Sequence, residues 1–352
     1  MSDPLSPPVF DGHNDMLLKL WRAEAGGASP ERLFAEGCGG HLDLPRMRRG
    51  GFGGGLFAIF CPSPDIEMAM DGPNGYDVPL PPPLEPAQAL PAALGQAGIL
   101  LRLAASGLIR QCRTAAEIEA ARAAGEVAAV LHLEGAEAID PAFRALDVLH
   151  AAGLRSLGPV WSRPNAFGHG VPFRFPSDPD TGPGLTDLGR ELVRQCAARG
   201  ILIDLSHITE AGFMDVAQVW DGPLVATHSN VHELVPHSRN LTDRQLDMIR
   251  ERDGMVGVNL ATAFLAPDGR MAEMAEIGPV VRQFLLLIER LGEHRVGLGS
   301  DWDGALTPAP VSDPAGLPNL RRALAEAGVD AALMEKLMWG NWLRVLRVAW
   351  GA

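Results

Sequence analysis

The chain has 352 residues, and 47% of them are apolar, so it can bury the core of one large α/β barrel or of two average domains. Its formal net charge is −13, which argues against nucleic acid or an anionic membrane as a partner. The first residues lack the basic and apolar regions of a secretion signal, and no run reaches the ~18 apolar residues that span a bilayer. We therefore expect a soluble, cytoplasmic protein, with four reduced cysteines: Cys38, Cys61, Cys112 and Cys196.

Eight segments have the composition of buried parallel strands. They are short, apolar, rich in β-prone residues or spaced by glycine, and each ends in polar residues. In chain order they are 9–13, 53–60, 127–133, 156–161, 201–205, 224–228, 255–260 and 295–299. Most of them are followed by a helical pattern, and eight strands that alternate with helices indicate a closed parallel barrel.

The segments between the strands carry helix signals. Thr114 and Thr242 are each followed three residues later by Glu or Gln, which is the spacing of a capping box. Residues 185–199 have apolar side chains at helical spacing, and Thr209 can cap a helix that runs to residue 219. Two further helices are predicted after the last strand, over residues 314–328 and 330–350.

An open doubly wound sheet is the main alternative to a barrel. Such a sheet carries a Gly-rich phosphate fingerprint after its first strand, where this chain has Asp11-Gly-His-Asn-Asp15 instead. The sequence therefore predicts an α/β fold, a (β/α)8 TIM-type barrel with extra C-terminal helices, as a single domain over residues 1–352. Two long connections, 61–85 and 162–184, leave C-terminal strand ends, where we expect them to form lids or substrate walls.

Side chains that can bind a metal ion follow five of the predicted strands. They are His13, Asp15, Glu134, His207, His228, Asp301 and Asp303. Three histidines and several carboxylates at one mouth exceed what one ion uses and fit a two-metal site with a bridging carboxylate. Some two-metal barrels use a carbamylated lysine as the bridge, but neither Lys19 nor Lys336 lies on a strand. Glu134 is therefore the candidate bridge.

Each of these side chains also has a structural alternative. Glu134 could be an acid at a helix N-terminus, and His207 and His228 could cap a helix or pack in a core. Asp301 could orient a ligand instead of moving a proton. His132 lies on the same strand face as Glu134, and we expect it to pack or to support a ligand. It is the joint placement at strand ends that favours a metal centre.

The ordered set of motifs resembles the membrane (renal-type) dipeptidases, which are dinuclear zinc peptidases of the amidohydrolase-like barrel group. The resemblance covers residues 11 to 304 and fits the C-terminal helices as well. The matching segments are Asp11-Gly-His-Asn-Asp15, Glu134-Gly, Asp204-Leu-Ser-His207, Thr227-His228-Ser, Ser238-Arg239-Asn240 and Gly299-Ser-Asp301-Trp-Asp303-Gly.

The resemblance implies a ligand set for two Zn²⁺ ions per chain. His13 and Asp15 would bind one zinc ion, His207 and His228 would bind the other, and Glu134 would bridge them. Such a pair of ions lowers the pKa of a bridging water and polarises the scissile carbonyl. Glu134 therefore counts among the catalytic residues as well as among the metal ligands.

The resemblance also implies roles in substrate binding and proton transfer. Arg239 would hold the terminal carboxylate of the substrate through charge-assisted hydrogen bonds. Asp301 would carry a proton from the nucleophilic water to the leaving amine. Arg163 and Arg174, in the second long loop, could favour an acidic side chain or could simply be solvated.

One position departs from the family pattern. The best-known members have a histidine at the end of the fourth strand, where this chain has Trp161. An indole N–H can donate one hydrogen bond but cannot titrate. The oxyanion would then be stabilised by zinc alone, by Trp161, or by Asn165 or His169 from the following loop.

The expected function is zinc-dependent hydrolysis of the amide bond of dipeptides, including those with a D-residue on the carboxyl side. The partner is the small dipeptide, with no nucleic acid and no membrane, and a homodimer stays open. The alternatives are another dinuclear-metal barrel hydrolase, acting on a lactone, phosphotriester or cyclic amide, and a non-catalytic barrel. A lactonase or phosphotriesterase would use the same metal ligands but would not need Arg239.

Overall fold

A computed structural model describes residues 6–37, 39–63, 69–72 and 74–351, so Cys38 lies outside the described residues. Eight parallel strands form the barrel of its central sheet, and a ninth short strand, Arg110–Gln111, pairs in parallel with Ala128–Glu134 outside the barrel order. We number the barrel strands in chain order as β1 (Val9–Asn14), β2 (Phe52–Phe60), β3 (Ala128–Glu134), β4 (Leu154–Gly158), β5 (Leu202–Ile203), β6 (Val225–Ala226), β7 (Met255–Val258) and β8 (Val296–Leu298).

The sheet closes into a barrel. Its strands follow the order β5-β4-β3-β2-β1-β8-β7-β6. The two ends meet because Asp204, just after β5, forms a parallel bridge with Val225 of β6. The Leu205 N–H also donates a hydrogen bond to the Val225 carbonyl at 2.8 Å. The predicted (β/α)8 barrel is confirmed, and all eight predicted strands occur.

Strands β5 and β6 are shorter than predicted because side-chain hydrogen bonds replace the ladder at their carboxyl ends. The buried Asp204 carboxylate accepts the Thr227 N–H at 2.8 Å and the Ser206 N–H at 3.0 Å. A carboxylate that takes backbone donors in this way ends the regular pairing but keeps every donor satisfied.

Helices surround the barrel. They are α1 (Met16–Ala25), α2 (Pro30–Glu36), α3 (Leu44–Gly50), α4 (Pro86–Ala105), α5 (Ala115–Ala124), α6 (Arg144–Ala152), α7 (Asp187–Ala198), α8 (Glu210–Val219), α9 (Asp243–Glu251), α10 (Gly278–Leu291), α11 (Leu317–Glu326), α12 (Ala331–Glu335) and α13 (Asn341–Trp350). Thr114 and Thr242 form the predicted capping boxes, and Thr209 caps α8 as predicted. Within the described residues, no helix has the length and apolar character needed to cross a bilayer.

The predicted C-terminal helices occur, but a π-helical turn, Lys336–Gly340, separates α12 from α13. Their tryptophans pack under the N-terminal end of the barrel. The Trp342 indole N–H donates to the Leu298 carbonyl at 3.0 Å, and the rings of Trp339 and Phe10 lie 5.7 Å apart. A Cβ at Gly12 would lie 2.3 Å from Trp342, so only glycine allows this close approach.

The two long loops meet at the opposite end of the barrel. Tyr76–Asp77 in the first pairs antiparallel with Arg174–Phe175 in the second. Arg163 joins the loops more deeply: its fully buried guanidinium pairs with Glu137 at 3.1 Å and donates to the Cys61 carbonyl at 2.8 Å. The sequence left two alternatives for Arg163, a solvated side chain or a contact with an acidic substrate side chain. Neither is correct, because its guanidinium is buried between the loops.

Candidate metal centre

The carboxyl ends of the strands bring five predicted ligands together. His13 lies in β1 and Asp15 follows it, Glu134 ends β3, and His207 and His228 follow β5 and β6. Each of the five residues is at most 5% exposed. Charged and titratable groups are buried in this way only when they are paired or bind a metal.

The ligands form two groups that share Glu134. His13, Asp15 and Glu134 make one group, and Glu134, His207 and His228 make the other, with the ligand atoms of each group within 4.8 Å of one another. Glu134 Oε2 lies 3.7 Å from His13 Nε2, whereas Oε1 lies 3.1 Å from His207 Nε2 and 3.4 Å from His228 Nε2. The two oxygens of one carboxylate therefore face two separate groups, which is the arrangement of a bridging ligand.

The unsatisfied polar atoms fit bound metal ions. Both ring nitrogens of His13 are buried and have no hydrogen-bond partner among the described residues. The Nε2 atoms of His207 and His228 lie only 3.0 Å apart. Imidazole and carboxylate ligands in such sets suit zinc and neighbouring divalent metals.

The electrostatics of the centre favour a cation. Burial lowers the pKa of His207 and His228 well below the ordinary value, so both rings are neutral, as ligands must be. Burial also opposes charge on His13, but the carboxylates of Glu134 and Asp15 outweigh it and raise the pKa of His13 to about 10. Carboxylates that hold a proton so firmly would also hold a metal ion.

Hydroxyl groups orient two of the imidazoles. Ser162 Oγ lies 2.9 Å from His207 Nδ1, and Thr227 Oγ1 lies 2.8 Å from His228 Nδ1. Thr227 Oγ1 also donates to the Asp204 carboxylate at 2.6 Å. These contacts turn both Nε2 atoms toward Glu134. Neither Ser162 nor Thr227 was predicted from the sequence to have a role, although Thr227 precedes His228 directly.

We expect replacement of Ser162 with alanine to weaken metal binding by about 10- to 100-fold, the usual cost of losing a group that orients a ligand. Competition with a chelator measures this affinity. Ser106→Ala is the matched control, because that hydroxyl bonds to helix carbonyls at the surface. Equal metal affinity in the two variants would contradict a role for Ser162.

Asp11, in the same motif as His13, links the two strands next to the metal centre. Its buried carboxylate accepts the Ser300 N–H at 2.7 Å and the Ser300 hydroxyl at 2.8 Å, which joins the ends of β1 and β8. Burial raises the pKa of Asp11 to about 7. His132 forms a hydrogen bond with Ser156 Oγ at 2.9 Å, and its ring lies 3.6 Å from the Asp204 carboxylate. It therefore belongs to the buried polar contacts beneath the ligands and not to the ligands themselves.

The two acids after β8 have different surroundings. Asp301 lines the cavity at the mouth of the barrel, and its Oδ2 accepts the Asn259 amide at 2.9 Å. Burial raises the pKa of Asp301, which helps it to carry a proton. Asp303 instead accepts the N–H groups of His41 and Leu42 at 2.7 and 3.1 Å, so it holds the loop before α3.

The backbone is strained at three of these residues. His207, Asp301 and Asp303 have φ values of 63°, 61° and 66°. This left-handed region favours glycine, and other residues adopt it only where surrounding contacts impose it. The strain places side chains at the mouth that a regular strand end would direct elsewhere.

A cavity of about 270 Å³ opens onto the centre. Asp15, Glu134 and His207 are part of its wall, together with Pro62, Ser63 and Met70 of the first long loop and Phe173 of the second. Both long loops thus contribute residues to the described wall of the cavity. The volume suits a small substrate.

Trp161 lies in the cavity wall. Its ring centroid is 4.9 Å from that of Phe60, 5.7 Å from that of Phe173 and 5.8 Å from that of His207. The aromatic side chains form one wall beside the second ligand group. At the position where the best-known family members have a titratable histidine ring, Trp161 offers an apolar surface and one N–H donor.

The other predicted substrate contacts differ in placement. Arg239 is 4% exposed and donates to the His228 carbonyl at 3.1 Å, and burial lowers its pKa to about 10. Its Cζ atom lies 5.4 Å from the ring centroid of Phe264, which lines the cavity, whereas Arg239 is not part of the described cavity lining. Asn165 instead donates to the Pro159 carbonyl at 2.9 Å. The structure brings neither Asn165 nor His169 into the cavity lining.

Comparison with known proteins agrees with this geometry. The chain matches the membrane dipeptidase family, peptidase family M19, over residues 6–350. A metallo peptidase from Rhodobacter sphaeroides, crystallised with a phosphinate mimic of L-Ala-D-Ala, is 53% identical, with a TM-score of 0.94 over 98% of this chain and 100% of that one. The crystal structure of dipeptidase AC, a metallo peptidase of the same family, is 54% identical, with a TM-score of 0.94 over 99% and 100% of the two chains.

A curated relative has no assigned activity. It is an uncharacterized protein of the pqqA 5′ region in Klebsiella pneumoniae, 47% identical over 72% of this chain and 95% of its own length. The family match spans almost the whole chain, and the ligand groups lie where the fold places an active site. The chain therefore belongs to the membrane dipeptidase family, peptidase family M19, and is a metallo-dipeptidase.

Proposed function

We propose that this dipeptidase binds two zinc ions and hydrolyses the amide bond of dipeptides, including those with a D-residue on the carboxyl side. His13, Asp15 and Glu134 would hold one ion, and Glu134, His207 and His228 the other. The observation that carries the proposal is the position of Glu134, whose two oxygens face separate ligand groups. A pair of bound divalent ions would activate a water molecule and polarise the scissile carbonyl.

The residues around the centre supply the remaining chemistry. Asp301 accepts a proton at Oδ1 or Oδ2 and returns it to the leaving amine. Burial raises the pKa of Asp301, which suits a group that must hold a proton between two steps, and the hydrogen bond from Asn259 fixes the orientation of the carboxylate. Trp161 borders the carbonyl site and can donate its indole N–H.

Arg239 is proposed to bind the terminal carboxylate of the substrate. Among the described residues no carboxylate lies within 4.0 Å of its guanidinium, and its Nε atom is buried without a partner. A buried, unpaired cation of this kind favours an anion. A conformational adjustment at Phe264 would bring the carboxylate within reach, since that ring lines the cavity and its centroid is 5.4 Å from the Arg239 Cζ atom.

The proposed acceptance of a D-residue on the carboxyl side of the substrate is based on a related protein. The Rhodobacter sphaeroides peptidase, 53% identical to this chain, was crystallised with a phosphinate mimic of L-Ala-D-Ala. A phosphinate is tetrahedral at phosphorus and resembles the transition state of amide hydrolysis. A matching pocket in this chain would accept the same stereochemistry.

A dipeptide library with L- and D-residues at the carboxyl position tests the proposal on zinc-loaded protein. We expect hydrolysis of both series, close to two zinc ions per chain by elemental analysis, and loss of activity after chelation that zinc restores. Failure on every dipeptide, alongside turnover of a lactone or phosphotriester, would overturn it.

Replacement of Arg239 with methionine separates the dipeptidase from the other barrel hydrolases. We expect KM for dipeptides to rise on the order of 100-fold, because a desolvated charge-assisted pair is lost. Arg282→Met, at an exposed position on α10, serves as the control. Unchanged dipeptide kinetics in Arg239→Met would favour a substrate without a terminal carboxylate.

A further inference from the structure

One face of α1 continues from the metal centre to the rim of the cavity. Asp15, Leu18 and Arg22 all line the cavity, and their spacing of three and four residues places them on one side of the helix. Seven residues of helix span about 10 Å. Arg22 therefore lies two turns outward from a metal ligand, within reach of a substrate bound at the centre.

Arg22 is a cation that has no partner in the part of the chain that the structure describes. It makes no ion pair or side-chain hydrogen bond with any residue in the described ranges, whereas its neighbour Glu24 pairs with Arg102. It is also the sole arginine or lysine in the described lining of the cavity. The arginines of the second loop have other partners: Arg163 pairs with Glu137, and Arg174 pairs with Asp77 at 2.7 Å.

The acidic side chains of the cavity are already engaged and leave Arg22 uncompensated. Asp15 and Glu134 belong to the ligand groups, and Asp301 accepts the Asn259 amide. Asp303 holds the backbone N–H groups of the loop before α3. With metal ions on the ligands, the potential near Arg22 would be positive, so an anionic group of the substrate would be attracted there.

We infer that Arg22 selects dipeptides with a carboxylate in the side chain of the amino-side residue, an inference that rests on the proposed function. Arg239, the proposed partner of the terminal carboxylate, lies beside the β6 end of the barrel, whereas Arg22 stands on the helix that follows β1. A substrate that spans the centre with its terminus at Arg239 extends its amino-side residue toward α1. The planar guanidinium can then bind the side-chain carboxylate with two parallel hydrogen bonds.

Pairs of isosteric dipeptides test this inference, with the alanine stereoisomer that the library favours. We expect kcat/KM for Glu-Ala to exceed that for Gln-Ala by roughly two- to fivefold, the range for an exposed charge pair, and the two values to converge at high ionic strength. For Ala-Glu and Ala-Gln the ratio should stay near one. Arg22→Met should remove the preference for Glu-Ala, and Arg22→Glu should favour Lys-Ala over Gln-Ala.

Arg282→Met is the matched control and should keep the full preference for Glu-Ala. Equal turnover of Glu-Ala and Gln-Ala by the unaltered protein would overturn the inference about Arg22 but would not contradict the proposed dipeptidase function. A preference that survives in Arg22→Met, or one that occurs at the carboxyl-side residue, would also overturn it. Hydrolysis of none of the four dipeptides would instead refute the proposed function on which the inference depends.

Discussion

Replacement of Glu134 with glutamine is expected to lower kcat/KM for dipeptides on the order of 1,000-fold and to leave at most one metal ion per chain. Glu134 Oε1 faces His207 and His228, and Oε2 faces His13. Glutamine has nearly the same shape, but it presents one oxygen and one NH₂ group and has no charge. It can therefore serve one ligand group and not both.

Elemental analysis and steady-state kinetics after zinc loading measure the two effects of Glu134→Gln separately. Glu293→Gln is the matched control, because Glu293 pairs with Lys336 on the surface, far along the chain from the ligands. Thermal unfolding shows whether the variant is folded. Two bound zinc ions per chain in a folded Glu134→Gln variant would contradict the bridging role.

Replacement of Arg163 with methionine is expected to lower the free energy of unfolding by about 3–5 kcal/mol, the usual cost of leaving one buried charge unpaired. The side chains of Arg163 and Glu137 are both 0% exposed. Arg163 also holds Ser63 and the Cys61 carbonyl, so the first long loop should loosen at the cavity. We therefore expect KM to rise along with the loss of stability.

Urea unfolding measures the stability of Arg163→Met. The double variant Arg163→Met/Glu137→Gln should recover part of the loss, because it removes the buried charge that the single variant leaves behind. Arg32→Met is the surface comparison, since Arg32 pairs with Glu36 one helical turn away in water and should cost well under 1 kcal/mol. Similar losses in Arg163→Met and Arg32→Met would show that the buried pair contributes little.

The parts of the protein that depend on local order along the chain were predictable. Each barrel strand is a short apolar segment, and the carboxyl ends of parallel strands meet at one mouth. The predicted ligands His13, Glu134 and His228 therefore follow from their place in the sequence. The capping boxes at Thr114 and Thr242 are equally local.

The contacts between distant segments were not predictable. Nothing near Arg163 in the sequence shows that it is buried against Glu137 and the first long loop, 26 and about 100 residues away. Asp303 likewise binds the backbone at His41 across 262 residues. The position of Arg22 could have been predicted more easily, because its helical spacing from Asp15 can be read from the sequence once the start of α1 is known.

The left-handed backbone at His207, Asp301 and Asp303 has a consequence for attempts to make this protein more heat-resistant. Glycine at His207 or Asp301 would relieve roughly 1–2 kcal/mol of backbone strain, but it would remove a side chain that the proposed reaction needs. At the mouth of the barrel, a gain in thermal stability would therefore come with a loss of catalytic activity. Engineering for heat resistance should begin at positions away from the mouth, where a substitution removes no group that acts on the substrate.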